Sequence, residues 1–283
     1  MSAASLSEPA HAKINLALHV TGRRADGYHT LESLVVFARA GDRITVTPAS
    51  ADAFTVSGAY AAETPRDASN LVLRARDLFR AHGGCEPLAI HLEKHLPVAS
   101  GLGGGSADAA ATLRAMARAA GGRSLPAEAV LGLGADVPMC LRSRAALARG
   151  IGEELRELEG LPPFGLVLVN PGVAVSTPAV FAKLERRDNQ GLGVMPDRPT
   201  LAGLVDWLKT TRNDLEAPAL ALAPVIGNAR DALARAGAAF VRMSGSGATC
   251  FGIFRDERAA EQAAAGIRAA EPRWFVCSTE TLP

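Results

Sequence analysis

Residues 96–121, LPVASGLGGGSADAAATLRAMARAAG, concentrate the positions that could do chemistry in this 283-residue chain. Gly101, Gly103, Gly104 and Gly105 fall within five residues, with Leu102 among them. Glycine lets a backbone come close to a ligand and take conformations that a Cβ forbids. Ser106, Ala107 and Asp108 follow, then an alanine-rich run. A helix starting there presents unpaired N–H groups and the positive end of its dipole. The combination makes an anion site, and phosphate is the usual anion. On this reading Ser106 caps the helix and touches phosphate, Ala107 offers its N–H, and Asp108 complements the dipole. A turn without a ligand is the rival reading, but ordering four neighbouring glycines costs much backbone entropy. A second glycine run, Ser244-Gly245-Ser246-Gly247, reads either as a further wall of such a site or as a tight turn between strands.

Two common phosphate loops are excluded. A Walker A loop ends in Gly-Lys-Ser/Thr, whereas Gly105 is followed by Ser106-Ala107. The dinucleotide fingerprint needs glycine at its first, third and sixth places, and counting from Gly101 the sixth is Ser106.

The surrounding elements follow from periodicity and turn residues. Alternation over residues 10–20 predicts a strand, and LESLVVFA (31–38), DRITVTPA (42–49) and AFTVSG (53–58) predict three more. Residues 69–82 predict a helix capped by Ser69 or Asn70, and LAIHLE (88–93) a strand feeding the glycine loop. The helix after the loop is expected from about Ser106 to Ala120, stopped by Gly121-Gly122. A short helix is expected at 126–133, a helix start at GADVP (134–138), and a strand and turn at 146–155. Beyond Pro162-Pro163 the expectations are a strand in FGLVLVNP and a helix capped by Ser176 or Thr177 with Pro178 in its first turn. A polar, glycine-bearing loop over 188–198 and a helix in LAGLVDWLKT follow. One helix over 218–236, strands in AAFVRM and CFGIF, a helix over 256–270 and a final strand complete the chain. Strands and helices interleave without a repeat, an α/β or α+β pattern.

Composition excludes several classes. The net charge is +1, so no nucleic-acid footprint is expected. Only four of the 30 basic residues are lysines: Lys13, Lys94, Lys183 and Lys209. The four cysteines lie far apart without a CxxC, which argues against zinc and against a disulfide framework. No apolar stretch has the length of a membrane span. The opening MSAASLSEPAHAK lacks a signal-peptide core. A cytoplasmic protein is expected.

PVASGLGGGSADAA resembles the phosphate-binding motif of the GHMP kinases, a family that includes galactokinase, homoserine kinase, mevalonate kinase and phosphomevalonate kinase. AKINLALHVTGRRADGYHTLES (12–33) resembles the family's first motif and RMSGSGATCFGIF (242–254) its third, in the right order. GADVP, and NDLE at 213–216, add to the likeness, which spans nearly the whole chain. One departure is that Ala99 and Ser100 stand where the common wording has glycines.

The resemblance implies an α+β protein of two domains: an ATP-binding domain over 1–160 and a ferredoxin-like domain over 161–283. It implies phosphorylation of a small-molecule hydroxyl by ATP, with Mg2+ arriving on the nucleotide; no metal-ligand set is legible in the chain. It makes Lys13 and Asp136 catalytic. ATP would be held by Asn70, Leu71, Lys94, Pro97, Val98, Ala99, Ser100, Gly101, Leu102, Gly103, Gly104, Gly105, Ser106 and Ala107. The substrate would meet Asn15, Tyr28, His29, Thr177, Phe181, Ser244, Gly245, Ser246 and Gly247. The GYHT wording implies a member whose substrate carries cytidine: Tyr28 stacks on the base, His29 bonds its edge, and Phe181 closes the other side. Taken alone, Asp136 reads as a helix N-cap, Phe181 as a core aromatic and His29 as a turn residue. Another small-molecule kinase of the family, acting on homoserine or phosphomevalonate, is the nearest rival. A nucleotide-binding protein without catalysis is the rival from another class. No nucleic acid or membrane partner is expected, and the oligomeric expectation is a monomer or weak homodimer.

Overall fold

The computed structural model describes residues 5–283; Met1–Ala4, the start of the leader reading, lie outside the described residues. The chain forms two compact units that interleave in sequence. The first holds Met1–Ala12, Gly41–Val98 and Gly103–Ser143; the second holds Lys13–Ala40, Ala99–Leu102 and Arg144–Pro283. Two long strands, β1 (Leu6–Arg23) and β2 (His29–Pro48), contribute residues to both.

In the first unit, β2 pairs antiparallel with β4 (Leu88–Glu93), which pairs in parallel with β3 (Ala53–Ser57). Helix α1 (Leu71–Ala81) is capped by Asn70, whose side chain accepts the Val72 N–H. It packs on α2 (Gly104–Ala119), and α2 packs on α4 (Val137–Arg142); the short α3 (Ala127–Leu131) lies between them in sequence. Ala109, Ala110, Ala111 and Ala115 of α2 are fully buried, so small side chains bring its neighbours close.

In the second unit, β2 pairs antiparallel with β5 (Ala146–Arg149), which turns back as β6 (Glu154–Glu157). A separate antiparallel sheet contains β7 (Gly165–Asn170), buried along its whole length. After α5 (Thr177–Ala182), α6 (Leu201–Lys209), α7 (Glu216–Leu222) and α8 (Val225–Arg235) come β8 (Phe240–Met243), β9 (Cys250–Phe254), α9 (Glu257–Ala270) and β10 (Phe275–Glu280). The sheet order is β10-β7-β9-β8, with α8 and α9 packed on it. The core includes Val167, Val169, Ile226, Leu233, Ala264 and Ile267. Flanked on both sides, β7 reads as a continuous apolar run.

Three expectations are corrected. The two strands expected at 31–38 and 42–49 are one, β2. Gly41 does not break it: a Cβ there would lie 2.2 Å from the Ala10 carbonyl oxygen, so glycine serves a close approach by β1. The single helix expected over 218–236 is two, because Pro224 caps α8. The helix after the glycine loop starts at Gly104 and not at Ser106. Among the described residues no helix is long and apolar enough to cross a membrane.

Candidate active site

The glycine loop leaves the first unit after Val98 and returns at Gly103. Ala99, Gly101 and Gly103 all take positive φ, at 51°, 79° and 64°. Gly103 is the N-cap of α2 in a left-handed conformation, with no side-chain cap. Ser106, expected as the cap, stands instead in the first turn. A glycine N-cap leaves the first N–H groups of α2 without a competing side chain, which suits an anion.

In the first unit, a buried cluster of charges lies at the start of α2. Lys94 ends the approach to the loop, and its ammonium donates to Asp42 Oδ2 at 2.6 Å and to Asp108 Oδ2 at 2.7 Å. Asp42 Oδ1 accepts the N–H groups of His95 and Leu96. All three charged groups are buried. Burial alone would lower the Lys94 pKa; the Asp108 and Asp42 carboxylates outweigh it and keep the ammonium charged. Burial pushes Asp108 up to about 7, with Lys94 opposing and the Asp42 charge adding to the rise. Asp108, read as a dipole complement, is thus half of a buried ion pair. The Lys94 ammonium lies 3.1 Å from where a Cβ of Gly104 would stand, directly beneath the start of α2. Leu71 Cδ1 lies 3.6 Å from the same point on Gly105. Asp136 is the N-cap of α4, the place it takes when read alone, but its side chain makes no cap hydrogen bond. The expected Pro138 stands in the first turn.

The second unit brings a different set together. Lys13 is buried, and its backbone N–H donates to Leu102 O at 2.9 Å. Two residues along β1, the Asn15 N–H donates to Ser244 Oγ at 3.1 Å, and Asn15 Nδ2 donates to Ser33 Oγ at 2.8 Å. Ser244 Oγ in turn donates to Gly101 O at 2.9 Å. The third motif therefore packs against the first glycine loop. A Cβ on Gly101 would lie 2.4 Å from Ser244 O, so only glycine fits. The one donor of the Ser244 hydroxyl is thus used within the protein. Ser246 Oγ bonds Thr177 Oγ1 at 2.7 Å, linking the loop to the start of α5.

His29 and Phe181 stack, with ring centroids 4.8 Å apart and planes at 25°. Tyr28 is 61% exposed and stands apart from that stack, its N–H held by Asp26 Oδ1. Two buried polar atoms in this set have no hydrogen-bond partner: Asn15 Oδ1 and His29 Nε2. Leaving such atoms unsatisfied is costly, so both suit a ligand that supplies the missing groups. Burial lowers the His29 pKa, and the charges of Arg187 and Arg23 lower it further. A neutral imidazole offers one donor and one acceptor. Arg23 and Arg187 carried no signal in the sequence, since isolated arginines in an arginine-rich chain look alike.

Several residues of the 188–198 loop are hydrogen-bonded to the rest of the second unit. The Asn189 N–H donates to Val20 O, the Leu192 N–H to Glu32 Oε2, and Trp207 Nε1 to Val194 O. His19 Nδ1 donates to Gln190 O while His19 Nε2 accepts the Arg212 N–H.

Comparison with known proteins gives the family. Residues 70–144 match the model for the GHMP kinases N terminal domain and residues 199–273 that for GHMP kinases C terminal. The chain belongs to the GHMP kinase family and is an ATP-dependent small-molecule kinase of the two-domain fold. It is 55% identical to the 4-diphosphocytidyl-2-C-methyl-D-erythritol kinase of Mesorhizobium japonicum, over 96% of this chain and 95% of that one. With the enzyme of the same name from Cereibacter sphaeroides it shares 56% identity, over 94% and 96%. A crystal structure of 4-(cytidine 5'-diphospho)-2C-methyl-D-erythritol kinase superimposes with a TM-score of 0.79 at 36% identity, covering 98% of this chain and all of that one. A homoserine kinase from Cytophaga hutchinsonii gives 0.72 at 18% identity, a likeness of fold.

Proposed function

We propose that the protein transfers the γ-phosphoryl group of ATP to the 2-hydroxyl of 4-diphosphocytidyl-2-C-methyl-D-erythritol, giving the 2-phosphate on a route to isoprenoid precursors. The observation that carries the choice of substrate is the His29–Phe181 stack, whose neutral imidazole has a buried, unsatisfied Nε2. A pyrimidine supplies both a face and a hydrogen-bonding edge, and stacking one base contributes about 1–3 kcal/mol. Homoserine and phosphomevalonate have no base.

In this reading the Gly101–Ala107 segment and the N-terminus of α2 bind the nucleotide phosphates. Asn70, Leu71, Pro97 and Val98 line the adenine side, and Lys94 acts from beneath as a support. Lys13 stabilises charge on the transferring phosphoryl group. Asp136 orients and polarises the acceptor hydroxyl and takes its proton late, which suits a loose transition state. The Asn15 amide oxygen accepts a substrate hydroxyl, and Tyr28 closes over the base. Thr177 and Ser244–Gly247 shape the pocket near the diphosphate. Among the described residues no group of three His, Cys, Asp or Glu side chains could hold a metal ion. Magnesium would arrive bound to the phosphates of ATP and neutralise their charge. The assignment of residues 1–160 and 161–283 to the two family domains belongs to the same proposal.

The test is ATP consumption with three acceptors: the cytidine diphosphate substrate, homoserine and phosphomevalonate. Turnover confined to the first is expected. Turnover with either other acceptor, or with none, would sink the assignment. In the Asp136→Asn variant kcat is expected to fall at least 100-fold with little change in the KM for ATP; near-normal turnover would remove Asp136 from the chemistry.

A further inference from the structure

The NDLE segment, residues 213–216, has no role in the reading above, yet it grips the second glycine loop, Ser244–Gly247, at several points. Asn213 Nδ2 donates to two loop carbonyls, Met243 O at 2.9 Å and Gly245 O at 2.8 Å. Its Oδ1 accepts the Leu215 N–H at 3.0 Å. Three of the four bonds an asparagine amide can make are thus used, and the residue is buried. Glu216 Oε2 accepts the Met243 N–H at 2.9 Å. Residues 212 and 214 are tied to β1: the Leu18 N–H donates to Arg212 O, the Asp214 N–H to Leu18 O, and the Val20 N–H to Asp214 Oδ2. The Arg242 guanidinium binds Leu16 O, Leu208 O and Thr211 O.

From these contacts we infer that Asn213 is a positioning residue, setting the orientation of the Ser244–Gly247 peptide planes against β1 and the phosphate loop. A peptide unit is planar and trans, so fixing a carbonyl fixes the N–H on its other side. Holding Gly245 O turns the Ser246 N–H away from Asn213. Gly245 and Gly247 take φ of +55° and +86°. Glycines in such conformations have little steric preference of their own, and without an external clamp their peptides can flip. Successive N–H groups turned to one side form an anion-binding concavity. The Ser244 hydroxyl carries the set position to Gly101 O and to the Asn15 N–H. The inference deepens the proposed function and rests on its assignment of this loop.

Asn213→Asp and Asn213→Ser test it. Aspartate keeps the size and the acceptor for Leu215 but turns two donor contacts into repulsions; serine removes the donors without adding charge. Hydrogen exchange of the ligand-free protein reads loop geometry independently of any substrate. The amides of 244–247 should exchange at least tenfold faster in both variants, with α6 protected as in the parent. In turnover, kcat should fall at least tenfold while the KM for ATP stays within threefold. For Asn213→Asp the ratio to parental kcat should rise as pH is lowered from 8 to 6, because a protonated carboxyl regains one donor. Parental exchange rates in the loop, or kcat within threefold of the parent, would overturn the inference. So would faster exchange across the whole second unit in both variants, which would make Asn213 a general support of the fold. A parent inactive on the cytidine diphosphate substrate would sink the proposed function alone, leaving hydrogen exchange to judge Asn213.

Discussion

Ala99 is the clearest case of a residue at odds with its own conformation. Its φ of 51° places a Cβ where left-handed backbone crowds the carbonyl, a cost of about 1–2 kcal/mol. Glycine there removes the strain but enlarges the unfolded ensemble, which returns about 0.4–1 kcal/mol. Ala99→Gly is therefore expected to raise stability by about 0.5–1 kcal/mol, read as a higher urea midpoint at unchanged slope, with kcat close to the parent. A lower midpoint would show that the loop does not hold this conformation in solution. Gly101 is the opposite case, where the near carbonyl of Ser244 admits no side chain. Both positions belong to a motif visible in the sequence. The left-handed turn at Ala99 was not, because alanine gives no hint of positive φ.

Between elements, the cluster of Lys94, Asp42 and Asp108 ties the end of β4, the later half of β2 and the first turns of α2 into one buried unit. Two carboxylates face one ammonium, and Asp108 Oδ1 is buried without a partner. The folded-state pKa of Asp108, about 7, lies above the ordinary carboxylate value of about 3.9. Between those values the folded protein keeps a proton that the unfolded chain has released. Its contribution to stability is thus present below about pH 4, declines as pH rises, and levels off above 7. Asp108→Asn removes that dependence, so the variant should gain stability relative to the parent as pH rises from 4.5 to 7.5. Urea unfolding at the two values measures it; a constant difference would show that Asp108 ionises normally. The charge-balanced Lys94–Asp42 pair survives in this variant. Lys94→Met, which strands two buried carboxylates, should cost more, about 3–5 kcal/mol. The glycine loop and the helix after it were legible in the sequence. The ion pair was not, since the resemblance gives Lys94 a place on ATP and Asp108 reads as a helix-dipole residue.

At the scale of the molecule, sequence order and compactness part company. Residues 13–40 belong with Arg144–Pro283. Leu18 and Val20 lie in the same core cluster as Val167, Val169 and Leu233. The Leu282 N–H donates to Phe37 O, and the Ala40 N–H donates to Thr279 Oγ1. Burying one such aliphatic side chain contributes about 1.5–3 kcal/mol, against a total stability of about 5–15 kcal/mol for a domain. A fragment comprising residues 161–283 is expected to lack a cooperative thermal transition, and one that also carries residues 13–40 through a linker to regain it. Calorimetry decides, and a sharp transition in the shorter fragment would refute the expectation. The strand and helix periodicities of both segments could be read locally. Their union could not, because a residue pattern shows which face is apolar and not which other face covers it.

By itself the sequence determined the family, the reaction class and the glycine-lined phosphate loop. Each of these rests on residue types at close spacing, and glycine conformations and helix starts are local properties. Tertiary structure alone decided which atoms meet. Asn15 reaches Ser244 across 229 residues, and Ser244 reaches Gly101 across 143. His29 finds Phe181, Lys94 finds two carboxylates, and Asn213 finds the glycine loop 30 residues on. Such pairings follow from packing and from satisfying buried hydrogen bonds over the whole chain, and no short stretch of sequence carries them.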